Sequence, residues 1–203
     1  TITDIEGNSY YTVTINNQVW MAENLNTRTF NNGDPIPTTT PADLDISGEN
    51  SPEYQWSYAG DEANAEVYGR LYTYYTVADT RGVCPTGWHV PTNNDIISLR
   101  DFLGGYLICG GKLKEAGTSH WMLPNTGATN ETGFTGIPGG IRFSSGQYAA
   151  IYGTGQWWTS TEDLSTPDTD NAYSVNLASQ VIVFGVGGSS SKSHGFSVRC
   201  LKD

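Results

Sequence analysis

Apolar residues recur at helical spacing in one stretch of this 203-residue chain. Ile96, Leu99 and Leu103 fall on one helix face, Thr92 offers an N-cap oxygen, Asp95 suits the positive end, and Gly104-Gly105 stops the run. No other segment reads as a helix with comparable clarity, so the core has to be buried mainly by short strands and the turns that join them. Composition agrees with this. The chain holds 24 glycines, aromatics make up 12% and charged residues only 15%, against roughly a quarter charged in an average domain. That mix excludes a long-helix protein, a coiled coil and a charged disordered tail, and leaves Tyr and Trp to supply buried area. A net charge of −11 turns away nucleic acid and anionic membrane surfaces. No apolar run reaches about 18 residues, so no membrane-spanning segment is expected.

The chain opens with strand alternation. Tyr11, Val13 and Ile15 share one face, Asn16-Asn17 makes a turn, and Val19-Trp20-Met21 returns as the second arm of a hairpin. Residues 31–54 are rich in Thr, Pro, Asp, Ser and Gly and read as a long ordered loop. Strand character comes back after residue 130, over 133–137, 141–143, 156–161, 172–177, 181–186 and 195–201. There is no internal repeat and no break in composition, so the expectation is one α+β domain of short strands, one or two helices and long ordered loops over residues 1–203.

Three cysteines, Cys84, Cys109 and Cys200, show neither a CxxC pair nor zinc spacing with histidine. One disulfide and one buried thiol suit an oxidising compartment, whereas three reduced core cysteines suit a cytoplasmic chain. The start, Thr1-Ile2-Thr3-Asp4, carries no methionine and no basic-then-apolar leader, and reads as a trimmed mature chain.

Eight segments in order point to one family. They are 18–25 (QVWMAENL), 68–72 (YGRLY), 84–92 (CPTGWHVPT), 110–114 (GGKLK), 132–134 (TGF), 138–142 (PGGIR), 157–162 (WWTSTE) and 195–200 (GFSVRC). Together they resemble the Fibrobacter succinogenes major paralogous domain, common in exported proteins and lipoproteins of Bacteroidota. The resemblance implies a C-type-lectin-like fold, akin in shape to formylglycine-generating enzymes and to the variable proteins of diversity-generating retroelements. It further implies an extracellular or cell-surface location, with any lipid anchor lying outside this chain. Cys84 opens one family segment and Cys200 closes another, and the two are expected to form a disulfide that leaves Cys109 alone.

The function implied is a non-catalytic, adhesion-type binding module for a surface glycan or protein. The alternative is a structural tip or spacer in a surface fibre or envelope assembly. An enzyme is not expected: His89, His120 and His194 are scattered, Ser160 lacks a GxSxG elbow, and no cofactor fingerprint appears. Fold analogy places ligand contacts on Tyr148, Tyr152, Trp157, Tyr173, Asn176 and Gln180. Trp157 and Trp158 should point to opposite faces of their strand, one into the core and the other either under a loop or exposed as a stacking platform. No cofactor is expected beyond a structural calcium. The run 43–48 (DLDISG) starts like an EF-hand loop, but Tyr54 occupies the twelfth position. Asp43, Asp45 and Glu49 therefore remain as a looser oxygen site, against the alternative of a solvated acidic turn.

Overall fold

A computed structural model of the chain describes residues 1–165 and 170–203. The chain enters through β1 (Ile2–Thr3) and β2 (Ser9–Tyr10), which pair with each other. The expected hairpin follows as β3 (Thr12–Ile15) and β4 (Gln18–Met21), with Ile15 opposite Gln18 and Asn16 in the left-handed region (φ 56°). Two short strands come next, β5 (Gln55–Trp56) and, across helix α1 (Glu62–Tyr68), β6 (Leu71–Tyr72). Then follow α2 (Tyr74–Ala78), β7 (Trp88–His89), α3 (Asn93–Phe102) and α4 (Cys109–Leu113). The last third holds β8 (Ile141–Arg142), β9 (Tyr148–Ala149), β10 (Thr154–Glu162), β11 (Asn171–Ala178), β12 (Gly185–Ser191) and β13 (Leu201–Lys202). This is an α+β chain of short helices and several small antiparallel sheets. The largest sheets run β3-β4-β13-β7 and β10-β11-β12.

Period-2 alternation explains the interior. Neighbouring residues on β4, on β10 and at the start of β13 feed two different cores. Met21, Trp158 and Cys200 enter one, with Tyr72, Tyr74, Phe196 and Val198. Trp20, Trp157 and Leu201 enter the other, with Leu99, Leu113, Phe134 and Leu177. Both indoles of the Trp157-Trp158 pair are therefore buried, on opposite faces, and each donates its N–H inward. Trp157 bonds Asn24 Oδ1 at 2.8 Å and Trp158 bonds the Tyr72 carbonyl at 2.7 Å. Trp158 also packs against Phe196, with ring centroids 4.4 Å apart.

The helix α3 forms as expected, with a full capping box between Thr92 and Asp95. Three expected strands do not form as such. Residues 133–137 are irregular, and so are 181–184 ahead of β12. The closing run 195–201 is a strand only from Leu201. Upstream it meets a different partner at each step, Gly195 with Arg142, Phe196 with Tyr72 and Ser197 with Trp157. Local alternation is the same whether one partner strand or three short ones receive the hydrogen bonds, so sequence pattern could not separate these cases. The short helix α4 rests on close backbone approach. A Cβ on Gly110 would lie 2.4 Å from the Ile182 carbonyl oxygen, and one on Gly111 would lie 2.2 Å from that of Gly127.

So much irregular backbone leaves carbonyls that no ladder satisfies, and buried cations take that role. Four of the ten Lys and Arg residues, Arg70, Lys114, Arg142 and Arg199, are buried. The Lys114 ammonium donates to the carbonyls of Thr126, Ala178 and Val181 at 2.9–3.0 Å. Burial pulls its pKa down to about 8, and the three acceptors favour its charged form. Arg199 donates to the carbonyls of Phe134 and Thr135 and, through Nε, to Asn24 Oδ1 at 2.8 Å. Asn24 thus accepts from both Trp157 and Arg199, while its amide donates to the Tyr68 carbonyl at 2.8 Å. Burial lowers the Arg199 pKa, yet a guanidinium keeps its charge at any ordinary pH.

A disulfide joins Cys84 to Cys200 across 116 residues. Cys109 is free and buried, and burial pushes its thiol up to about 11, which makes it a poor nucleophile.

Two outcomes follow for stability. Replacing Cys84 and Cys200 together by Ala should cost about 4 to 5 kcal/mol in the chain-entropy model, read as a drop in the urea midpoint against the oxidised parent. Asn24→Leu strands the Trp157 N–H and the Arg199 Nε in the interior. It should destabilise the fold by about 3 kcal/mol or more, whereas Asn17→Ala in the exposed turn should leave the midpoint nearly unchanged.

Candidate functional site

The long loop before β5 is held down by another buried cation. Arg142, fully buried on β8, stacks its guanidinium 3.9 Å above the Trp56 ring and donates to the carbonyls of Ala42, Leu44 and Phe143. The Tyr148 hydroxyl also donates to the Ala42 carbonyl, at 3.1 Å. The Trp56 indole N–H donates to Thr39 Oγ1 at 2.8 Å, and Ile46 N–H to the Ser144 carbonyl at 2.8 Å. Gly146 lets the β8–β9 turn close on this loop, since a Cβ there would sit 1.9 Å from the Asp43 carbonyl oxygen.

Two open clefts lie along this loop. The first, about 390 Å³, is walled by Thr38, Thr39 and Thr40 on the loop, by Gln55, Trp56 and Ser57, and by Arg28, Glu62 and Arg70. The second, about 560 Å³, lies between Asp43 and the β8–β9 hairpin, with Phe143, Ser145, Gln147 and Tyr148 in its wall. Both volumes fall within the range of small-molecule sites. Their walls are hydroxyls, amides and tyrosine, with arginine and a carboxylate in the first. Tyr58 packs edge-on against Tyr148 at 5.2 Å, and burial raises the pKa of both phenols, so each remains a neutral donor at physiological pH.

The expected ligand residues are not gathered in one place. Tyr148 lines the second cleft. Tyr152 is exposed elsewhere, edge-on to Tyr68, and Gln180 reaches the Leu123 carbonyl at 3.4 Å. Tyr173 and Asn176 sit half-buried along β11, where a Cβ at Gly185 would touch the Asn176 amide oxygen. Trp157 is a correction. It is 4% exposed and its N–H is consumed by Asn24, so it offers no stacking face. The sequence pattern hid this, because a strand pair of tryptophans facing two cores looks locally like one facing a core and one facing solvent.

The oxygen site is a second correction. Among the described residues no group of three His, Cys, Asp or Glu side chains could hold a metal ion, so Asp43, Asp45 and Glu49 do not converge. Asp45 turns back to accept the Ser47 N–H at 2.8 Å, and these Ser47 hydrogen bonds hold its carboxyl below the ordinary range. Glu49 accepts from the Tyr54 hydroxyl at 3.0 Å. Asp43 faces the second cleft alone. The acidic run thus satisfies its own turn, which is what short polar side chains in loops do.

Sequence reading missed the first cleft and the arginines behind it. No local signal marked them: Lys112 shares the 110–114 segment with buried Lys114, yet it stays half-buried and pairs with exposed Glu131 at 3.0 Å.

The model of one family, the Fibrobacter succinogenes major domain (Fib_succ_major), matches residues 13–202, and the chain belongs to that family. No curated protein and no solved structure matches it.

Arg142→Met should free the loop that makes both clefts. The Leu44 carbonyl would lose the Arg142 donor, and the Ala42 carbonyl would keep only those of Tyr148 and Thr39, at a cost of about 1 to 2 kcal/mol. Faster amide exchange at Leu44 and Ile46, with the exchange of β10 and β11 little altered, is the expected signature.

Proposed function

We propose that this chain is a non-catalytic binding module that works outside the cell or on its surface, and that its ligand is a glycan held in the two clefts beside Ala42. The observation that carries this reading is the wall chemistry. Threonine and serine hydroxyls, the amide of Gln147, and the hydroxyl and ring of Tyr148 line clefts of ligand size. That set matches a polyhydroxylated partner, which needs many hydrogen bonds from a fixed frame and an aromatic edge for its C–H faces. Loops held by buried guanidinium groups supply a frame with little entropy left to lose on binding.

A C-type-lectin-like architecture in one domain fits this arrangement, with irregular loops carried on a sheet that the closing strand completes. The Cys84–Cys200 bridge favours an oxidising, extracytoplasmic setting. No helix among the described residues is long and apolar enough to cross a membrane. A structural tip or spacer is the second reading, favoured by a separate exposed patch of Met122, Leu123, Tyr152 and Val181, which has the character of a packing surface.

A glycan array probed with the full chain tests the choice. Binding to a small related set, weakened by Thr40→Ala and Gln147→Ala without loss of melting temperature and unaffected by Tyr152→Ala, supports the module. An array blank at high protein concentration, or binding that only Tyr152→Ala and Leu123→Ala abolish, refutes the assignment to these clefts.

A further inference from the structure

The surface is more acidic than the net charge of −11 indicates, because four of the ten cationic side chains are buried. The first cleft departs from this. Arg28 and Arg70 stand in its wall against one carboxylate, Glu62. Arg70 is 4% exposed. Its terminal nitrogens donate to Gln55 Oε1 at 2.8 Å and to both oxygens of Glu62, while its Nε is buried with no hydrogen-bond partner among the described residues. Arg28 stays 62% exposed, and its guanidinium approaches Glu6 at 3.7 Å.

Glu62 is a weakly tethered occupant of that arginine. Its side chain is 64% exposed and comes from the first turn of the seven-residue α1. Burial alone would raise its pKa, but the Arg70 guanidinium outweighs that and holds the carboxyl below its ordinary range. A carboxylate therefore already pairs with Arg70 in fork geometry, and its exposed side chain leaves it open to exchange with another carboxylate. An incoming carboxylate can take the same terminal nitrogens and release Glu62 to water. Thr38, Thr39, Thr40 and Ser57 would meet hydroxyls next to it.

We infer that the first cleft takes an acidic sugar, a residue bearing one carboxylate among several hydroxyls, with Arg70 as its anchor, Arg28 as the rim cation and Glu62 as the internal group it displaces. This inference rests on the glycan-binding reading and deepens it by naming the ligand class.

The test uses the full chain and calorimetry with three acidic oligosaccharides, tetragalacturonate, sialyllactose and a heparosan tetrasaccharide, each beside its methyl ester. The ester keeps shape and hydroxyls and removes the charge. At least one acid should bind about tenfold more tightly than its ester, as expected for a charge-assisted pair worth about 1.5 kcal/mol. Glu62→Gln, a change at an exposed side chain, should tighten the acid several-fold and leave the ester unchanged. Arg28→Ala should weaken the acid alone. Equal affinity for every acid and its ester overturns the inference while leaving the glycan-binding module intact, as does an acid preference that Glu62→Gln fails to strengthen. If no acid binds, the inference falls, and the array with neutral glycans decides separately whether the module reading falls with it.

Discussion

Asn24 accepts hydrogen bonds from the Trp157 indole and the Arg199 guanidinium, and donates to the Tyr68 carbonyl. Through Arg199 it also holds the Phe134-Thr135 backbone. Five stretches far apart in sequence meet at this one side chain. Each of them belongs to a segment by which the family resemblance was read, 18–25, 68–72, 132–134 with its next residue, 157–162 and 195–200. A buried amide has a donor and an acceptor to give at once, so it can join a cation, an indole and a carbonyl where an apolar residue would leave all three unsatisfied.

The same logic recurs at Lys114 and Arg142. Regular ladders are few in this chain, and buried carbonyls in loops have to be paired by something other than neighbouring strands. An ammonium with three donors, or a guanidinium with five, pairs several carbonyls from one point and fixes the relative position of the loops that own them. Lys114 ties α4 to the turns at Thr126 and Ala178–Val181, and Arg142 ties β8 to the loop at Ala42 and Leu44. Burying these cations carries a desolvation penalty, and backbone bonds offset it here instead of carboxylates. The outcome matters for function. The loop that walls both clefts is tied to β8 by Arg142, and the cleft that carries positive charge does so on a surface otherwise dominated by Asp and Glu.

Much of the scaffold was legible because its signals are local. The capping box of Thr92 and Asp95, the Asn16-Asn17 hairpin turn and the long ordered loop of residues 31–54 each depend on residues close in sequence. The pairing of Cys84 with Cys200 was implied by the family segments that contain them. The candidate site was much less legible. Tyr148 alone of the expected contacts lines a cleft. The first cleft is assembled from residues 28, 38–42, 55–62 and 70, and its walls meet only because Trp56, Thr39 and Arg142 stack behind them.

The sequence by itself determined an α+β chain of short elements, one capped helix, an acidic surface and a family. These follow from composition, periodicity and ordered motifs, which a linear text carries in full. Tertiary structure decided the rest: that Trp157 and Trp158 serve two cores, that residues 195–201 pair with several partners in succession, and that the arginines and Lys114 turn inward. The physical reason is that a side chain's environment is set by what approaches it from across the fold. An arginine in a glycine-bearing segment reads the same whether water or three carbonyls surround it, and only long-range packing brings the carbonyls there.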